Sequence, residues 1–158
     1  MLEAWIEAGA WMGAAILFFI FVPMRKLRLA LLGFFIMQTF TWPFGYMVIE
    51  FDLISYPKHF FADVSKTSFT FEYFVFPVTA AIFNLYYPKK RLIGLLYTSV
   101  VVSILTGGEV ILEKFTDNIE YHGWKWYWSW ITMFLTLQMA YWVWNWILGK
   151  DRKGVGVG

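Results

Sequence analysis

Apolar residues run through this chain in five long stretches rather than in short alternating segments. The stretches cover residues 5–23, 29–49, 69–87, 92–112 and 125–148. Each approaches or exceeds the roughly 20 helical residues that cross a hydrocarbon core. GAAILFFIFV (13–22) has no period of two, which a membrane-barrel strand would show. Backbone groups that meet no water must bond within their own segment, so the pattern predicts an all-α, polytopic membrane protein with five transmembrane helices. Residues 1–149 then form one transmembrane domain and 150–158 a basic, glycine-rich cytoplasmic tail, whose last five residues, Gly154-Val155-Gly156-Val157-Gly158, read as a flexible end. The first stretch does not read as a cleaved signal. It carries Glu3 and Glu7, and Met24-Arg25-Lys26-Leu27-Arg28 follows it where a small-residue cleavage site would stand.

Composition narrows the class. Of 158 residues 59% are hydrophobic and only 15% charged, with 10 Trp, 9 Tyr, 17 Phe and no cysteine. An average soluble domain carries about 25% charged residues, so too few polar groups exist here to cover a soluble surface. A disordered chain, a disulfide-stapled secreted domain and a cysteine-lipidated anchor are excluded as well. A net charge of +2 without a basic stripe argues against nucleic acid as a partner.

The placement of the charges says more than their sum. Arg25, Lys26, Arg28, Lys89, Lys90, Arg91, Lys150, Arg152 and Lys153 follow the first, third and fifth stretches, so all lie on one side. Lys58, Lys66, Lys114 and Lys125 lie on the other. Basic loops stay in the cytoplasm, which puts the N-terminus outside and the C-terminus inside. Glu3, Glu7, Glu50, Asp52, Asp63, Glu72, Glu109, Glu113, Asp117 and Glu120 fall at the outer side, against Asp151 alone inside. The outer half thus carries −6 and the inner half +8.

Three acids sit inside apolar stretches: Glu7, Glu72 and Glu109. Each lies within about a turn of an outer end, where a side chain can reach the headgroups at low cost. Glu7 reads best that way. Glu72 and Glu109 are candidates for a ligand or cation vestibule together with Glu113, Glu120 and His122. Gly107-Gly108 just before Glu109 marks a point of helix breakage or close approach. Glu109 and Glu113 share a helical face, and with Glu120 and His122 they offer the donor types a divalent cation takes. No HExxH or DxD pattern accompanies them, so no cofactor is assigned and a divalent cation stands only as a candidate.

Pro43 and Pro77 predict kinks in the second and third helices, with the carbonyls of Thr39 and Tyr73 left without their usual donors. Gln38, Asn84, Gln138 and Asn145 are expected to bond across helices. Trp124, Trp126, Trp128 and Trp130 open the last helix, and Trp142, Trp144 and Trp146 close it, as two interfacial belts would. The alternation WKWYWSW spreads the first set around the helix, so some of these rings must face protein.

TSFTFEYFVFPVTAAIFNLYYPK (67–89) and IEYHGWKWYWSW (119–130) resemble a family of small multi-pass membrane proteins from endospore-forming bacteria. The resemblance implies a bacterial plasma-membrane location and assigns no activity. Three function classes follow. The first is a non-enzymatic component that packs with itself, as a homo-oligomer, or with a membrane-protein partner. The second is a cation or small-solute channel, transporter or sensor with an acidic outward vestibule. The third is a metal-dependent, membrane-embedded enzyme acting on a lipid headgroup. The last lacks any nucleophile constellation, with no cysteine, no GxSxG and its two histidines in separate loops.

Overall fold

A computed structural model describes residues 1–154; the last four residues of the expected tail lie outside this range. The helix α1 (Leu2–Phe21) stops where Pro23 removes a donor, and a single 3₁₀ turn, Met24–Lys26, leads into α2 (Leu27–Glu50). After the loop 51–68 the chain forms a π-helical segment, Phe69–Val75, continuous with α3 (Phe76–Tyr86). The helices α4 (Arg91–Phe115) and α5 (Trp126–Gly154) complete the bundle. Within the described residues four stretches are long and apolar enough to span a membrane: Leu2–Phe21, Met24–Glu50, Phe69–Tyr86 and Arg91–Phe115. The helix α5 stands outside this set because its Trp, Tyr, Asn and Gln side chains carry polar tips that depress its mean hydropathy.

Packing is closest between α2 and α3, with α5 against α2 and α4, and α1 against α3 and the π segment. Small residues allow the approach. Ala30, Ala80, Ala81 and Ala140 are buried, and a Cβ at Gly33 would stand 3.5 Å from the Ala81 Cα and 3.6 Å from the Ala80 carbonyl oxygen. Such contacts bind membrane helices through van der Waals packing, since lipid supplies no hydrophobic drive between them. Polar side chains add cross-links: Gln138 donates to Thr98 Oγ1 at 2.6 Å, and Trp144 Nε1 to the Leu29 carbonyl at 2.9 Å.

The N-terminus and both long loops meet at one end. Two short strands, β1 (Ile54–Ser55) and β2 (Glu120–Tyr121), pair antiparallel with Ile54 opposite Tyr121 and Ser55 opposite Glu120. Lys58 holds Glu3 at 3.3 Å and also pairs with Asp117, which ties α1 to both loops. The short connections around Arg25–Arg28 and Lys89–Arg91 lie at the opposite end, where Tyr86 Oη donates to the Phe21 carbonyl at 2.9 Å.

Three sequence expectations are corrected here. The Pro77 kink proves to be a junction: Pro77 occupies the first turn of α3, where a missing N–H costs little, and the irregular part is the π segment before it. The freed Tyr73 carbonyl accepts from Gln38 Nε2 at 2.8 Å, which explains a glutamine on the facing helix. At Gly107-Gly108 α4 runs unbroken, and a Cβ on either glycine would meet nothing within 4 Å. Glycine costs a helix only about 1 kcal/mol, less than breaking backbone bonds in lipid. Glu7 does not reach outward to the headgroups. It is buried, and its Oε2 accepts from Phe60 N at 2.7 Å and Thr70 Oγ1 at 2.9 Å.

Candidate functional site

Beneath the β1–β2 pair, in the half of the bundle that holds the long loops, lies a cavity of about 270 Å³. Helical periodicity builds its walls. Met37, Thr41, Phe44, Gly45 and Val48 form one stripe of α2, and Thr132, Leu135, Thr136 and Met139 form a facing stripe of α5. Leu105 and Glu109 contribute one face of α4, and Glu72 and Phe76 come from the π–α3 junction. Ile54, Tyr56 and Trp124 close the loop end.

Each acid reaches the cavity for a local reason. The π turn widens the helix around Glu72, as π segments at functional sites often do. Ser68 Oγ caps its start by accepting from Phe71 N at 3.4 Å, and Thr41 Oγ1 holds the Glu72 carbonyl at 2.9 Å. Across from it Gly45 leaves the room the carboxylate occupies, because a Cβ there would collide with all three of its heavy atoms. Glu72 is only 5% exposed, and its Oε2 is buried without a hydrogen-bond partner. Glu109 is held differently. Its Oε1 accepts from Tyr121 Oη and from Ser129 Oγ, and Ser129 Oγ in turn accepts from Trp124 Nε1 at 2.7 Å. Burial and the Glu109 carboxylate push the Tyr121 phenol well above its usual range, so it stays a donor.

The remaining acids proposed from sequence lie off this wall. Glu113 is half-buried one turn beyond Glu109, and Glu120 is exposed on β2. His122 is also exposed, with Nε2 2.8 Å from Ser55 Oγ, so it fastens one loop to the other. Among the described residues no group of three or more His, Asp or Glu is gathered to hold a metal ion. The tryptophans divide as the alternation requires. Trp124, Trp130 and Trp144 donate to protein acceptors, while the rings of Trp126, Trp128 and Trp142 are exposed.

Sequence reasoning found Glu72 and Glu109 but missed Gly45, Tyr121 and Ser129. Ser129 left a signal, as a lone hydroxyl within an aromatic run. Gly45 and Tyr121 left none, since their roles depend on partners 27 and 12 residues away.

The arrangement sets two carboxylates and four hydroxyl side chains, Thr41, Ser129, Thr132 and Thr136, into a mostly apolar space with aromatic side chains in its wall. Carboxylates in such a place favour a cation, and a ring such as Trp124 or Phe76 adds attraction for an organic ammonium ion. No family model, curated protein or solved structure matches the chain.

Proposed function

We propose that this chain is a plasma-membrane protein with five spans, N-terminus outside and C-terminus in the cytoplasm, that binds a small organic cation in its outer-half cavity for sensing or transport. One observation carries the reading: Glu72 and Glu109, far apart in sequence, line the same cavity, and Glu72 keeps a buried oxygen without a partner. A carboxylate whose buried oxygen meets no donor inside a membrane bundle costs free energy unless something compensates it. A bound cation supplies that compensation. What favours binding over packing alone is that two acids from separate helices converge on one cavity. The bacterial location rests on the resemblance of residues 67–89 and 119–130. The orientation, and α5 as the fifth span, rest on the basic clusters gathered at the end away from the long loops.

The test is thermal unfolding of the purified protein in nanodiscs with a panel of amines, guanidines and metal ions. A ligand at a hundredfold excess over its Kd stabilises by about 2.7 kcal/mol, or roughly 5–10 °C for a chain of this size. At least one organic cation should give such a shift, reduced in Glu72→Gln and Glu109→Gln. A panel without effect on the wild type would overturn the proposal.

A further inference from the structure

The cavity also indicates how its occupant arrives. Its residues fall into two sets by exposure. Those at the loop end are covered: Ile54 is buried, and Tyr56 and Trp124 are half-buried beneath the β1–β2 pair. The polar wall is covered too, with Glu72, Thr41 and Ser129 all buried. The exposed lining residues are Phe44 (47%), Leu135 (55%), Met139 (42%) and Thr132, all on α2 and α5. These two helices are joined toward the other end, where Trp144 reaches Leu29. The mouth therefore lies on the side of the bundle, between α2 and α5, and its rim is apolar at Phe44, Leu135 and Met139, with Thr132 the one hydroxyl among the exposed lining residues.

Resting on the cation-binding reading, we propose that the occupant is an amphiphilic amine that enters sideways from the outer leaflet. Its ammonium group sits between Glu72 and Glu109, and its hydrocarbon chain leaves across Phe44, Leu135 and Met139. Size supports a small headgroup, since about 270 Å³ lies at the lower edge of the roughly 300–1,000 Å³ of small-molecule pockets. Charge supports an amine without phosphate, because both acids would repel a phosphodiester. A phospholipid with an amino headgroup is therefore not the occupant. The carboxylates read the charge, and the side opening selects the chain.

The test measures binding to the protein in phosphatidylcholine nanodiscs with three probes: decylammonium, butylammonium and decanol. Decylammonium should bind at least about tenfold more tightly than either of the others. Leu135→Trp, which narrows the mouth, should weaken it about tenfold, while Leu135→Ala, which leaves the mouth open, should not. Met139→Trp repeats the block from the next turn if Leu135→Trp does not fold. Discs containing phosphatidylethanolamine should not compete. Butylammonium binding as tightly as decylammonium, with no effect of either tryptophan, would place entry on the aqueous side and overturn the lateral route while leaving cation binding intact. Equal binding of decanol would show that the carboxylates do not read the headgroup, and competition by phosphatidylethanolamine would overturn the exclusion of phosphate. Failure of both amines would remove the cation-binding reading itself.

Discussion

Gly45 and Glu72 show how one missing side chain shapes the site. The space beside the Glu72 carboxylate exists because α2 carries no Cβ at residue 45. Gly45→Ala should leave the helix intact, since alanine favours helix by about 1 kcal/mol, yet displace the carboxylate. The expected result is an unchanged or raised Tm without ligand and a cation affinity at least about tenfold weaker, read by titration in nanodiscs. Glu7 serves as a structural acid through its Oε2, which ties α1 to Phe60 and Thr70. Glu7→Ala would strand the Phe60 N–H and the Thr70 hydroxyl, at roughly 1–3 kcal/mol for each buried donor. Thermal unfolding should show the loss, with Glu7→Gln less affected because an acceptor oxygen remains. Sequence located both cavity acids because a carboxylate within an apolar run is visible wherever it occurs. It misjudged Glu7 because the partners come from Phe60 and Thr70, which only the fold brings near.

At the scale of elements, the two cross-linked loops and the π segment set the geometry of the cavity. Hydropathy marked the extent of the third span but could not reveal that its first seven residues are π-helical, since the apolar pattern is the same for either winding. Likewise nothing local announces that two-residue strands at Ile54–Ser55 and Glu120–Tyr121 pair over the covered loop end of the cavity. Tyr121 joins this pair to the site through Glu109, and burial together with that carboxylate raises its ionisation above the ordinary range. The folded protein therefore keeps a proton that the unfolded chain surrenders near pH 10. This contribution to stability is complete below about pH 10 and declines as pH rises beyond it. Tm measured between pH 8 and 11 should fall more steeply for the wild type than for Tyr121→Phe. Parallel slopes would show that Tyr121 is not held in this way.

For the whole molecule, a net charge of +2 conceals a bundle whose ends differ in sign. The ion pairs of Lys58 with Glu3 and Asp117 gather the acidic end, and the clusters at Arg25–Arg28 and Lys89–Arg91 mark the basic one. This polarity was legible in the sequence because short membrane loops keep neighbouring charges on one side. The absence of native cysteine makes orientation directly testable. In intact cells Asp63→Cys should react with an impermeant maleimide and Lys89→Cys should not; the reverse pattern would invert the topology. The cavity itself was not legible, because it depends on the convergence of α2, α4 and α5 rather than on any one of them. Its central claim, an ammonium ion held against Glu72, is tested most directly by solid-state NMR of ¹⁵N-decylammonium bound to ¹³C-glutamate-labelled protein. A nitrogen-to-carboxyl contact within about 4 Å, present in the wild type and lost in Glu72→Gln, is the predicted result. Bound ammonium without such a contact would contradict it.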